Sequence, residues 1–280
     1  MRRFLPTLLS ISLLPIFGVA QTASADELTP LDRFWIGAGA YNSDNDLDLR
    51  IDGEDLVNGT DVDAQRDFGF DEKETAKTFD AGFTLANRHQ FSFSGHRYES
   101  TASRTLDQEF DIDDQTFAID AAFDGGLEIS ILSAGYTYFF HSTERSAFGV
   151  GLGGVRYSID AELLAAGLVD DGEGGEQEVN AEVRKSESAW APMIRAQYSR
   201  VLGEKWRFNA EVAGVKKSNG SIKGDAIDAS VAVDYFPWDH LGFSLRYNYN
   251  DVDLDYAKSS YRGRMSLTNQ GPSLLAIVRF

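Results

Sequence analysis

The chain reads as all-β: a transmembrane, antiparallel, up-and-down β-barrel of about ten strands, with eight and twelve as the neighbouring alternatives. Three observations lead there. Apolar residues recur at every second position over segments of roughly ten residues, as a wall with one lipid-facing side requires. After residue 25 no apolar run approaches the ~20 residues of a membrane helix, so a spanning chain must cross by strands. Short turns alternate with longer, mostly acidic connections, and the chain ends in the alternating stretch Gly271 to Phe280 (GPSLLAIVRF).

In that last stretch Phe280, Val278, Ala276, Leu274 and Pro272 share an apolar and small face, and Arg279, Ile277, Leu275, Ser273 and Gly271 make a mixed one. At the other end, Arg2 and Arg3 precede an apolar run from Phe4 to Ala20, with Ala23-Ser24-Ala25 before Asp26. This three-part pattern predicts a cleaved secretory signal over 1–25, with cleavage after Ala20 as the alternative. The barrel domain is then 26–280. Pro6 and Pro15, and the shortness of the run, argue against a spanning helix.

The whole chain has 26 basic and 44 acidic residues, a net charge of −18. Losing Arg2 and Arg3 takes it to −20, which argues against nucleic acid or an anionic surface as a partner. Cysteine is absent, so neither a disulfide framework nor a thiolate metal site is expected.

The first strand is read from Phe34 to Tyr41. Asn42 opens a long acidic connection (42–75), into which Leu47, Leu49 and Ile51 carry the alternation. The second strand sets Phe79, Ala81, Phe83 and Leu85 against Asp80, Gly82 and Thr84; a tight turn over Ala86 to His89 leads to the third, Gln90 to Arg104. After a short acidic loop (106–115) the fourth runs from Thr116 to Phe140. Its apolar parity changes between Ile131 and Leu132, which predicts a β-bulge there. The fifth, Phe148 to Gly154, is glycine-rich, and a second large acidic loop (163–183) follows. Strands six to nine centre on Trp190–Ser199, Trp206–Val212, Ile227–Tyr235 and Leu241–Asn250, and Gly271–Phe280 is the tenth. Aromatics gather near the short turns and chain ends (Phe34, Trp35, Phe139, Phe140, Trp206, Tyr235, Phe236, Trp238, Phe280), as an interfacial girdle requires.

With a final Phe280 and this alternation, the chain resembles the OmpA/OmpW-like class of small bacterial outer-membrane β-barrels. The segment Gly59-Thr60-Asp61-Val62-Asp63 to Asp67-Phe68-Gly69-Phe70 is similar to a first-loop pattern of that class. The resemblance implies a place in the bacterial outer membrane, contact with its lipid and lipopolysaccharide, and insertion by the barrel-assembly machinery. It puts the short turns in the periplasm and the acidic loops outside, and it carries no functional residue.

Alternation places Asp80, Arg195, Arg207, Glu211, Asp228, Asp234 and Arg246 in the lumen, where charges must pair. Two readings follow from them: a structural interior, or a small cation-preferring pore. Other readings are an OmpW-like carrier of small hydrophobic molecules, which needs an apolar upper lumen, and surface binding or adhesion through the acidic loops. An enzyme is not expected; the less favoured alternative is a lipid A-modifying or protease-type outer-membrane enzyme. His89, His141 and His240 fall at short turns, and His96 shares its face with Ser100 but not Glu99, so no local triad forms. No catalytic, cofactor or metal residue is assigned. Asp44-x-Asp46-x-Asp48 is followed by Leu49, not Gly, and so is no EF-hand, but the acidic loops are candidates for loose Ca²⁺ or Mg²⁺ binding.

Overall fold

The computed structural model describes residues 27–52, 60–63, 73–105, 110–112, 115–117, 122–170, 176–218, 222–257 and 262–280. The expected signal segment and the tip of the second acidic loop (171–175) lie outside them. In chain order the described strands are β1 (Phe34–Asp52), β2 (Thr60–Asp63), β3 (Lys73–Leu85), β4 (His89–Thr105), β5 (Phe110–Ile112), β6 (Gln115–Phe117) and β7 (Ala122–Ser142). They continue with β8 (Ser146–Asp170), β9 (Glu176–Val201), β10 (Trp206–Lys217), β11 (Ile222–Tyr235), β12 (Leu241–Ala257) and β13 (Arg262–Arg279).

Ten strands pair antiparallel with their chain neighbours in the order β1, β3, β4, β7, β8 and on to β13, and β13 pairs with β1 to close the ring. Closure leaves no edge strand with unpaired backbone groups, the condition for crossing lipid with sheet. β2 is an additional strand against the loop-side end of β1, and β5 with β6 forms a separate hairpin.

The register sets the shape. Following paired residues from Trp35 leads through Gly82, Ser92, Gly135, Gly153, Met193, Val215, Ala226, Val252 and Leu267. Leu267 pairs back onto β1 at Leu47, so one circuit advances 47 − 35 = 12 residues. Ten strands with that stagger, at the usual strand spacing and rise, tilt by about 40° and enclose a cylinder of roughly 10 Å radius to the backbone. Such a bore is narrow enough for side chains to fill.

The short turns lie where the sequence places them. In the first, Ala86 and Asn87 both take positive φ (51° and 53°), and Arg88 N–H donates to Leu85 O at 3.1 Å. Two positive φ values define the turn type whose twist matches a hairpin. In the second, Thr143 Oγ1 accepts from Ser146 N–H at 3.0 Å.

Near the short turns the outward side chains are apolar, among them Ile36, Phe93, Val150, Leu152, Ile194, Leu245 and Leu274, all exposed. About ten residues of each strand, at ~40° tilt, make a belt of roughly 25 Å, the height of the lipid-facing band of such barrels. Beyond the belt the faces exchange chemistry. On β12, Leu245, Tyr247 and Tyr249 point out, and so do Asp251, Asp253 and Asp255 further along, while Val252 turns inward, fully buried.

Four expectations change. The parity switch between Ile131 and Leu132 is no bulge: pairing is continuous there, and the register shift falls between Phe139 and His141. Ile129 and Ile131 face a buried interior above the belt and Leu132 faces outward within it, so the apolar side moves while the backbone does not. Second, much of the two large connections is strand, since β1 runs to Asp52, β3 starts at Lys73, β8 runs to Asp170 and β9 starts at Glu176. Third, the expected fourth strand is divided, with 115–117 in β6 and the barrel strand β7 beginning at Ala122. Fourth, Trp35, Phe139 and Phe236 are not girdle residues. Phe139 and Phe236 are buried inside the barrel, and Trp35 packs beside Phe236.

Candidate functional site: the layered lumen

The interior is built in three layers. The floor, at the short-turn end, is made by a segment that precedes the first strand. Leu28, Leu31 and Asp32 are buried. Leu28 packs with Val201, Phe236, Leu275 and Ile277, and Leu31 with Phe139 and Ala147. Asp32 receives two guanidinium groups, Arg207 at 2.7 Å and Arg279 at 3.2 Å. Arg207 also pairs with Asp234 at 3.0 Å and donates to Thr29 O, while Ser199 Oγ donates to Pro30 O at 2.7 Å. Both arginines lie over the Phe236 ring, 5.1 and 4.8 Å from its centroid. Removing the Asp32 carboxylate would strand the buried Arg279 and leave Arg207 with Asp234 alone, so the segment is held by charge as well as by apolar contact.

Above the floor lies a polar cavity of about 210 Å³. All seven lumen charges named from the alternation line it: Asp80, Arg195, Arg207, Glu211, Asp228, Asp234 and Arg246. Arg195 Nε donates to Glu211 at 3.1 Å and its Nη1 to Ser92 Oγ at 2.6 Å, while Gln197 donates to the other Glu211 oxygen at 2.7 Å. Asp80 on β3 takes Arg246 of β12, three strands away round the ring, at 3.3 Å and Trp35 Nε1–H of the neighbouring β1 at 3.0 Å. The Trp35 ring reaches Asp80 only because residue 82 is glycine, where a Cβ would stand 2.2 Å from the ring. Asp228 differs from the rest: among the described residues its partner is the Asn250 amide at 3.4 Å, with no base in ion-pairing distance.

The ceiling combines aromatics and aliphatics. Tyr41 and Tyr98 both donate to Asn269 Oδ1, the second at 2.8 Å. His96 stands edge-on between them, with ring centroids 5.8 and 5.3 Å away, and its Nε2 has no hydrogen-bond partner in the protein. Higher up, one packed cluster draws a buried side chain from every strand of the ring. It includes Tyr41 and Leu47 (β1), Ala76 (β3), Tyr98 (β4), Ile131 (β7), Val155 (β8), Met193 (β9), Val215 (β10), Ala226 (β11), Val252 (β12) and Leu267 (β13).

Sequence reasoning missed the floor, because Leu28 to Asp32 carry no strand periodicity, and it missed the aliphatic ceiling. The signal for the ceiling was present: beyond the belt, Val252 and Leu254 alternate with three aspartates. His96, expected at mid-strand, borders the cavity; His89 and His240 sit against Tyr136 and Phe280 near the turns. Among the described residues, no cluster of three or more metal-ligating side chains occurs.

These features define a class: a closed, ten-stranded antiparallel barrel of the bacterial outer-membrane kind. No family model matches the chain, and no curated protein matches it by sequence. Solved structures do match by shape. The outer membrane protease OmpT of Escherichia coli aligns at a TM-score of 0.55 and 11% identity, covering 92% of this chain and 100% of its own. The translocator domain of the autotransporter NalP of Neisseria meningitidis gives 0.45 and 12%, covering 89% of each chain. The outer membrane protein OprG of Pseudomonas aeruginosa gives 0.39 and 10%, covering 90% and 98%. Only the first of these three likenesses is close enough to argue from, and at that identity it establishes fold, not activity.

Proposed function

We propose that the protein is a non-conducting structural barrel of the bacterial outer membrane, whose lumen is a core and whose working surface is the acidic, loop-side part of the wall. One observation carries this reading: the apolar cluster that fills the bore with side chains from all ten strands. Ions pass a pore through water or through polar groups that replace water, and a packed aliphatic layer offers neither. The Asp32 floor seals the other end. In this orientation the short turns face the periplasm, and Asp44, Asp46, Asp48, Asp253 and Asp255 face the outside.

The carrier reading keeps one supporting observation, since it requires an apolar upper lumen and the ceiling is apolar. Those side chains are packed against one another, however, so the space is already occupied. Planar-bilayer recording of the refolded chain tests the main reading. Baseline current is expected from wild type, and steady openings in most insertions would sink it.

A further inference from the structure

Across the outward faces of β3, β4, β7, β8 and β9, paired residues form one oblique row that climbs toward the loop side: Lys77, Arg97, Ser130, Ser158 and Ser188. Five adjacent strands make this row about 20 Å wide. The row directly beneath, toward the belt, is Phe79, Gly95, Leu132, Arg156 and Trp190. Below that lie Leu152 and Ile194, which are 67% and 65% exposed, the most open of the large apolar side chains. The row above contains Glu99, Glu128, Asp160 and Ser186. Along β7, β8 and β9 the chemistry passes from the apolar Leu152 and Ile194 through Arg156 and Trp190 to the three serines, and then to Glu128 and Asp160.

Apart from Arg97, donors in this patch are unused. Arg97 is engaged by Glu128 and by Glu99 at 3.0 Å. Arg156 is not: its Nε is buried without a hydrogen-bond partner, and among the described residues no carboxylate lies in ion-pairing distance. Ser130, Ser158 and Ser188 likewise make no side-chain hydrogen bond among the described residues. The two terminal nitrogens of Arg156 also have no hydrogen-bond partner among the described residues, and an external acceptor would supply one. Trp190, paired directly with Arg156, marks the depth at which an indole sits between hydrocarbon and headgroups.

We infer that this patch is a binding surface for the phosphate-bearing headgroup of an acylated outer-leaflet lipid. Arg156 and the serine row take the phosphate, and Leu152 and Ile194 lie along the acyl chains. The negative charge of the chain as a whole pointed away from anionic partners. The local distribution reverses that expectation, because the bases stand where phosphates lie and the carboxylates one row farther out. A phosphate is matched by donors that have no internal acceptor, and its acyl chains by the adjoining apolar wall.

The test uses the refolded full chain in neutral detergent, titrated with purified lipopolysaccharide, and counts lipid phosphate that co-elutes with the protein. Arg156→Gln is expected to weaken retention about tenfold, the scale of one charge-assisted contact. Arg184→Gln, two rows above the serines, is expected to leave retention unchanged. Retention by Arg156→Gln within twofold of wild type overturns the proposal. So does an equal loss in Arg184→Gln, which would mean general charge, or equal competition by inorganic phosphate, which would mean a soluble-anion site. Self-association of the wild-type chain that Arg156→Gln abolishes without loss of lipid overturns it in favour of a second copy of the chain. If Arg156→Gln does not fold, the Ser130→Ala, Ser158→Ala, Ser188→Ala triple variant serves, and undiminished retention overturns the proposal equally. None of these readouts depends on conductance.

Discussion

The belt half of the barrel and its loop-side half are opposites built from the same strands. In the belt, Ile36, Leu152, Leu245 and Leu274 face out, and Asp80, Arg195, Glu211 and Arg246 face in. Beyond it, Asp46, Asp48, Asp253 and Asp255 face out, and Leu47, Val252 and Leu267 face in. No register break accompanies the change on β12, whose pairing with β13 is continuous from Leu241 to Ala257. Solvent explains the inversion. In hydrocarbon the outer face must be apolar and polar groups collect inside, whereas in water the apolar face must turn inward as in any soluble core. One sheet therefore carries two hydrophobic patterns of opposite sense. Around the cavity the interior of the belt half is knit by ion pairs, and the interior of the loop half by apolar packing.

The largest expected effect tests the ionic half. Asp32→Ala leaves Arg207 and Arg279 without the carboxylate they share and should cost about 3–5 kcal/mol, as for other broken buried pairs. Urea unfolding in vesicles measures this, together with faster proteolysis of the released amino-terminal segment. A loss under about 1 kcal/mol would mean that the floor is dispensable. Next comes the boundary between the halves. Leu245→Arg, in the belt, should cost about 2–4 kcal/mol, while Asp253→Arg, on the same face of the same strand, should stay within about 0.5 kcal/mol. Equal effects at the two positions would place the lipid boundary elsewhere. The smallest effect probes the packed half: Ile131→Val should cost about 0.5–1.5 kcal/mol in the same assay. No change there would mean a loosely filled upper lumen and would revive the carrier reading.

How much was legible in advance differs by element. The strand count, the short turns and the seven inward charges follow from period-two alternation, because a strand has only two faces and lipid dictates the chemistry of one. The same rule failed between Ile131 and Leu132. A parity change has two physical causes, an inserted residue or a change of solvent, and local sequence does not separate them. The girdle reading failed at Trp35, Phe139 and Phe236 for a related reason: an aromatic near a turn suits either a headgroup layer or a core.

The sequence by itself determined that this chain crosses lipid as a barrel, since alternation, turn residues and the lack of a helical span are local properties. Only the tertiary structure decided what fills the bore. The Asp32 floor joins residues 175 and 247 positions apart, the ceiling needs one side chain from each of ten strands, and the Arg156 patch exists only because the register sets Arg156 beside Trp190 and next to the serines of β7, β8 and β9. Each depends on contacts that ring closure and register create, and no window of neighbouring residues contains them.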